Sequence, residues 1–277
     1  MKIENFIDQA LAEDIGSGDH TTLSCVPAHA TGRARLLVKD NGIIAGVKMA
    51  EMIFNRYDPE LKFSLEIPDG SPIKPKDIVF TVEGKSRSIL TTERTVLNCM
   101  QRMSGIATYT RVCSDLLKGT KARLLDTRKT TPNSRVMEKW AVLIGGGMNH
   151  RFGLYDMVMI KDNHADFAGG ITKAVHATQA YLQEKNLNLK IEVEARNLDE
   201  VKEIIAVGGV HRILLDNFDN DTLRKAVTII DGKSETEASG GITKSNLHDV
   251  AQTGVDFISM GALTHQIKSL DLSLKAY

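Results

Sequence analysis

No excess of either charge marks this chain: lysine and arginine together number 35, and so do aspartate and glutamate. A protein without net charge has no overall field to draw it to nucleic acid or to an anionic membrane, so neither is expected as a partner, and any preference for an anion must be local. Cysteine is scarce. The three thiols, Cys25, Cys99 and Cys113, are odd in number and lack CxxC spacing, which argues against a zinc site and a disulfide framework and reads as the reduced state of a cytoplasmic protein. No apolar run approaches the ~20 residues of a membrane span. The N-terminal "MKIENFIDQALAEDIG" sets Ile3, Phe6, Ile7, Ala10 and Leu11 at helical spacing with acids between, unlike the unbroken apolar segment of a signal peptide. Solenoid repeats and low-complexity tracts are also missing. What remains is a chain of 277 residues, long enough for one barrel-sized domain or for a barrel with a smaller companion.

Up to about residue 90 a first helix is followed by short strand-like runs, "RARLLVK", "LKFSLEI" and "DIVFTVEG", separated by turns such as "PDGSPIKP". Residues 91–117 read as a helix with Thr91 or Thr92 as N-cap and Val96, Leu97 and Met100 on one stripe; Gly105 is expected to bend or divide it. After Lys121 strand and helix alternate: "ARLLD", "YDMVMIK", "LKIEVE", "HRILLD", "TEAS" and "VDFISM" are the strands. Such alternation implies a parallel sheet, and the residues left are too few for a regular eightfold barrel of ~250. The expected fold is α/β: an N-terminal α+β sandwich over 1–110, then an irregular, incomplete α/β barrel over 111–265, with 266–277 packing back on the first domain.

The strands end on one kind of chemistry. "ARLLD" runs into Thr127, Arg128 and Lys129, "DMVMI" into Lys161 and Asp162, "IEVE" stops at Glu194, "RILLD" at Asp216 and Asn217, "EAS" opens into Gly240 and Gly241, and "FISM" into Gly261. Barrels carry their active sites at the C-terminal strand ends, so these distant residues should meet in one cavity. A lone lysine after a strand is often only a solvated end. Arg128, Lys129, His150, Arg151 and Lys161, however, crowd two successive strand ends, and their repulsion needs an anion to offset it.

Glycine-rich turns fit the same ligand. Ser239–Gly241 precedes a helical pattern beginning near Thr243, and Met260, Gly261 and Ala262 follow the last strand; exposed N–H groups at such turns bind phosphate, although a tight turn alone also asks for glycine. Glu194 and Asp216 suit Mg²⁺, a developing positive charge, or plain ion pairs with the neighbouring cations. Met49, Met52, Met100 and Met103 read as core filler. His20, His29, His176, His211 and His248 lack ligand spacing and are placed at the surface, His164 as support, and Asp19, Thr21 and Thr22 in a turn or cap.

The blocks "EDIGSGDHTT", "ERTVLNCMQRMSGIATYT", "LLDTRKTTPNSRVMEKWAV", "IGGGMNHRFGLYDMVMIKDNH", "IEVEARNLDEV", "ILLDNF", "EASGGIT" and "ISMGALTH" together resemble the quinolinate phosphoribosyltransferases, in order and over nearly the whole chain. Asn133, where glycine is expected, and Trp140, where tyrosine is, depart from the pattern, and the choice of Glu194 over Glu192 rests on an uncertain spacing.

That resemblance implies a dimer, or a higher oligomer, with active sites shared between subunits. Arg102 would reach into the neighbouring subunit's barrel, where Thr127, Arg128, Lys129, His150, Arg151 and Lys161 line the pocket for quinolinate. Glu194, Asp216, Ser239, Gly240, Gly241, Met260, Gly261 and Ala262 would hold 5-phosphoribosyl 1-diphosphate and its Mg²⁺, the two acids meeting the metal indirectly through the donor. Lys129, Lys161, Glu194 and Asp216 would carry the chemistry, which yields nicotinate mononucleotide, diphosphate and CO₂ for NAD biosynthesis. On the residues alone, a Schiff-base aldolase using Lys161, a non-catalytic anion binder and a nicotinate-specific relative stay open.

Overall fold

The computed structural model describes residues 2–277. In chain order the first elements are α1 (Ile3–Ile15), α2 (His20–Cys25), β1 (Thr31–Val38), β2 (Gly42–Ile43), α3 (Val47–Tyr57), β3 (Lys62–Leu65), β4 (Pro72–Ile73), β5 (Ile78–Lys85) and α4 (Ser86–Leu116). Next come β6 (Arg123–Leu125), α5 (Arg135–Ile144), β7 (Val158–Ile160), α6 (Asp162–Ala168), α7 (Ile171–Glu184), β8 (Ile191–Ala195) and α8 (Leu198–Val207). The chain finishes with β9 (Arg212–Asp216), α9 (Asn220–Ile230), β10 (Glu235–Ser239), α10 (Leu247–Ala251), β11 (Phe257–Ser259), α11 (Ala262–His265) and β12 (Leu272–Ala276).

Two compact units result. The first comprises Met1–Arg111, Thr130–Gly146 and Leu263–Tyr277; the second, Val112–Lys129 and Gly147–Ala262. Residues 130–146, with α5, thus fall outside the parallel-sheet unit to which the sequence reading assigned them.

In the first unit an antiparallel sheet runs in the order β12-β1-β5-β3. Alternation in "RARLLV" buries Ala34, Leu36 and Val38 on one face of β1, and β12 pairs along its other edge from Ala34↔Ala276 to Val38↔Leu272. α3 buries Val47, Met49, Ala50, Ile53 and Phe54, and Phe54, Phe63 and Phe80 form a tilted aromatic cluster with centroids 4.7–6.2 Å apart. Two expectations for the long helix need correction. It starts at Ser86, and Thr92 is no cap: its hydroxyl donates to the Ser88 carbonyl at 2.8 Å inside the helix. Gly105 does not divide it. A Cβ there would stand 2.3 Å from the Lys268 carbonyl oxygen, so glycine is required by close approach.

The second unit holds six parallel strands in the order β6-β11-β10-β9-β8-β7. All six were legible as short strand-like runs, and each neighbour pair from β7 to β11 is consecutive in sequence, the arrangement that βαβ crossovers produce. β6 completes the order beside β11, with Leu124 opposite Ile258. Among the described residues no ladder joins β6 to β7; only a parallel bridge from Leu125 to Met148 extends that side. This is the incomplete barrel that the chain length required. Two of its helices are capped by their own sequence, Asn197 Oδ1 accepting the Asp199 and Glu200 N–H groups ahead of α8 and Asp219 accepting from Thr222 ahead of α9.

Candidate active site

At the C-terminal ends of these strands a cavity of about 620 Å³ is lined by Thr127, Arg128, Lys129, His150, Arg151, Met159, Lys161, Glu194, Leu214, Asp216, Asn217, Glu237, Ser239, Gly240 and Ser259. The geometry follows from strand periodicity. Inward residues alternate, so Glu192 and Glu194 share one face of β8, Arg212, Leu214 and Asp216 one face of β9, and Glu235, Glu237 and Ser239 one face of β10. Pairing sets Glu194 and Glu237 level with Leu214, and Ser239 level with Asp216. The upper residues reach the cavity and the lower ones its floor.

Cations occupy one side. Burial disfavours the charged form of Arg151, and the nearby Arg128 guanidinium disfavours it further; an anion bound between the two would remove that opposition. Arg151 also donates from Nη1 to the Met157 carbonyl at 3.3 Å, while Asp156 accepts the Phe152 and Gly153 N–H groups and closes the loop. Lys161 stands 3.8 Å from Glu194, and its N–H donates to His164 Nδ1 at 3.0 Å, which makes His164 a helix cap.

Carboxylates occupy the other side. Burial raises the Glu194 carboxyl above the ordinary range; Lys161 opposes this and Asp216 adds to it. Asn217, in the left-handed region at φ 57°, donates from Nδ2 to Asp216 at 2.7 Å. These two acids offer hard oxygen donors at adjacent strand ends, a donor set suited to Mg²⁺.

Beneath them His150 is buried. Its backbone N–H donates to Asp126 at 2.8 Å, its Nδ1 accepts the Arg151 N–H at 2.6 Å, and its Nε2 lies 3.1 Å from Glu192 and 3.4 Å from Glu237. Burial acts against a charged ring, but the two carboxylates outweigh it and push the pKa up to about 9. The Nδ1 contact pulls the other way, since an N–H cannot donate to a protonated nitrogen. That direct contact decides the tautomer: the ring proton sits on Nε2, facing the carboxylate pair. Its members lean apart, Glu192 held above the ordinary range by burial and by its like-charged neighbour, Glu237 below it by His150 and Arg212 despite burial.

Ten of the residues singled out in the sequence meet here: Thr127, Arg128, Lys129, His150, Arg151, Lys161, Glu194, Asp216, Ser239 and Gly240. Gly241, Met260, Gly261 and Ala262 are not in the lining. Nor does Ser239–Gly241 open a helix near Thr243, because Asn246 takes the Thr243 N–H at 2.8 Å in a turn and α10 starts only at Leu247. Arg102 belongs to the first unit, where it donates to Glu138 at 2.7 Å, to Thr131 at 3.1 Å and to the Thr264 carbonyl at 3.0 Å. Asn133, where glycine was expected, adopts φ 64°, a conformation asparagine tolerates. Asn217, expected at the end of "RILLD", also lines the cavity. Glu237, Arg212 and Asp126 were missed.

The family Quinolinate phosphoribosyl transferase, N-terminal domain, matches residues 19–104, and its C-terminal-domain counterpart matches residues 106–275. Quinolinate phosphoribosyltransferase (decarboxylating) 1b of Nicotiana tabacum is 46% identical, over 99% of this chain and 82% of that protein. The chloroplastic nicotinate-nucleotide pyrophosphorylase (carboxylating) of Arabidopsis thaliana is 48% identical over 97% of this chain and 81% of its own length. The solved nicotinate-nucleotide pyrophosphorylase of Francisella tularensis superposes with a TM-score of 0.91 at 39% identity, covering 99% of this chain and 96% of that one. With both domain families spanning almost all of it, this chain belongs to the quinolinate phosphoribosyltransferase family.

Proposed function

We propose that this enzyme joins quinolinate to 5-phosphoribosyl 1-diphosphate and decarboxylates the adduct, releasing nicotinate mononucleotide, diphosphate and CO₂ in NAD biosynthesis. The observation that carries this reading is the single cavity in which Arg128, Lys129, Arg151 and Lys161 face Glu194 and Asp216. A pyridine dicarboxylate beside a sugar diphosphate calls for several cations, and the ribosyl centre, which becomes cationic, calls for acids.

Arg128 and Arg151 suit the two carboxylates through bidentate hydrogen bonds, with His150 orienting that side. Lys129 and Lys161 meet phosphate or diphosphate, and Ser239 and Gly240 the phosphate of the donor, with Gly241 and the Met260–Ala262 loop behind them. Glu194 and Asp216 steady the oxocarbenium-like ribose and hold Mg²⁺ through the donor; when bound, the metal disperses the charge of the departing diphosphate. The ring nitrogen attacks the anomeric carbon as the bond to diphosphate breaks. The alkylated nitrogen is then a cation, which stabilises the carbanion left when CO₂ departs from the neighbouring carbon, and that carbon takes a proton. Water exclusion favours that step.

In this reading Arg102 completes the site from a second copy of the chain, in a homodimer or larger assembly. A reducing, cytoplasmic compartment belongs to the same proposal, supported by three cysteines that stand free; no described helix is long and apolar enough to cross a membrane.

The test is an assay with quinolinate, 5-phosphoribosyl 1-diphosphate and Mg²⁺ that follows CO₂ and mononucleotide together. Equal release of both is expected; consumption of nicotinate without CO₂ would overturn the substrate assignment. Mixing an Arg102→Ala variant with a Lys161→Ala variant should restore part of the activity, and complete failure to do so would remove the shared site.

A further inference from the structure

Two buried carboxylates lie under a cavity read as binding a dianion, where their field opposes the ligand. Glu192 and Glu237 are both fully buried. Neither oxygen of Glu192 has a hydrogen-bond partner of good geometry among the described residues; its close neighbour is the His150 ring, at 3.1 Å. Glu237 lies 3.4 Å from the same nitrogen and accepts from Arg212 at 3.0 Å, whose guanidinium covers the Phe257 ring at 4.0 Å. Buried charge of this kind is weak evidence for stability. Its task must therefore lie in what it holds.

The three groups have ligand atoms within 4.8 Å of one another, close enough for a metal ion. Arg212 already supplies the positive charge that such an ion would bring to Glu237, however, and with Nδ1 accepting the Arg151 N–H the ring proton sits on Nε2, the nitrogen that would have to bind a metal. The proton, not a metal, joins ring and acids.

We propose that Glu192 and Glu237 are positioning residues for the phosphoribosyl transfer: they grip His150 at Nε2–H from below, and His150, through the Arg151 N–H on its Nδ1, fixes the backbone from which the Arg151 guanidinium enters the cavity. This rests on the function proposed above. It assigns the substrate carboxylate to Arg151, and gives both ring nitrogens of His150 to the protein. The chain of contacts runs from β8 and β10 through His150 to Arg151, with Asp126 holding the His150 backbone from β6.

The experiment compares the full-length wild type with Glu192→Gln, which keeps an oxygen able to accept from Nε2–H, and with Glu192→Ala, which does not. The KM for quinolinate should rise about ten- to hundredfold in Glu192→Ala, which removes the charged group 3.1 Å from Nε2, and much less in Glu192→Gln, while the KM for 5-phosphoribosyl 1-diphosphate stays put. A merely structural role would lower soluble yield or kcat and move both KM values together. In parallel, ¹⁵N-histidine spectra of the wild type should show His150 protonated at Nε2, assigned by its loss in His150→Asn, with faster proton exchange in Glu192→Ala. An unchanged quinolinate KM in Glu192→Ala, a bare Nε2 in the wild type, or Zn²⁺ binding that Glu192→Gln abolishes would each overturn the proposal. A wild type that makes no mononucleotide defeats the functional reading instead, and the spectra then still decide the geometry.

Discussion

Lys161 Nζ stands 3.8 Å from Glu194 Oε2, the lysine side chain half exposed and the carboxylate only 9% so. A pair so long and so unevenly solvated adds little to the fold, and the ammonium is therefore available to a ligand. Lys161→Ala is expected to lower turnover by at least about 10², while stability in urea changes by less than about 1 kcal/mol. Arg128→Ala, exposed beyond the end of β6, should behave alike. Steady-state CO₂ release measured beside unfolding curves checks both; wild-type kcat in either variant would take that cation out of the reaction.

Gly240 has no room for a side chain. At φ 89° its Cβ would meet Asn217 Oδ1 at 2.3 Å and the Asn217 nitrogen at 2.9 Å, and Asn217 is the residue that orients Asp216. Gly240→Ala should destabilise the chain by about 1–3 kcal/mol and raise the KM for 5-phosphoribosyl 1-diphosphate. Gly241, at φ 61° with open space around it, gives the contrast: alanine there meets only left-handed strain of about 1–2 kcal/mol and leaves Asn217 in place. Equal KM values in the two variants would mean that the Asn217 contact has no bearing on the donor.

What the sequence disclosed and what it withheld divide along the range of the interactions involved. The parallel strands other than β10 announced themselves as short apolar runs, β10 by its place in the alternation of strand and helix, and the cations at their ends followed from the barrel rule. The start of α4 did not: Thr91 and Thr92 carry cap chemistry, and only the hydroxyl of Thr92 turned back to Ser88 shows that the helix had already begun. Glu237 was passed over for a related reason. Its strand was recognised, but its partners, His150 and Arg212, come from other strands and loops, and nothing local in "TEAS" separates an acid facing the barrel interior from one facing water. His150 was chosen because it stands in the cationic cluster with Arg128, Lys129, Arg151 and Lys161; the direction of its ring depends on Glu192 and Glu237 and needed coordinates.

Gly105 illustrates the same point with a measurable consequence. In a helix interior glycine is expected to weaken, so Gly105→Ala would ordinarily stabilise by up to about 1 kcal/mol. Here the added methyl would stand 2.3 Å from the Lys268 carbonyl oxygen and 3.1 Å from the Ser269 Cα, which must move away from α4. A loss of about 1–3 kcal/mol is expected instead. Thermal or urea unfolding of the variant decides the sign, and a gain in stability would restore the reading of Gly105 as a tolerated helix breaker.

Asp256 supplies the pH-dependent case. Its Oδ2 accepts the Thr236 N–H at 2.9 Å and the Thr236 hydroxyl at 2.7 Å, its Oδ1 meets Lys121 at 2.9 Å, and its own N–H donates back to Thr236 Oγ1 at 2.9 Å. The group thus ties the entry to β10 to the residues ahead of β11 and β6. Burial would raise this carboxyl, but Lys121 and Thr236 outweigh it and hold it below the ordinary aspartate value. A carboxyl depressed in the folded state binds protons more readily in the unfolded chain, so its stabilisation is complete above the unfolded pKa of about 3.9 and is lost as the pH falls through the lower, folded value. Asp256→Asn should therefore be less stable than the wild type by about 1 kcal/mol at neutral pH, with the gap narrowing steadily below about pH 4. Urea unfolding of both proteins at neutral and acid pH measures it; a gap that persists undiminished in acid would mean that the shape of the Asp256 side chain, and not its charge, joins these strands.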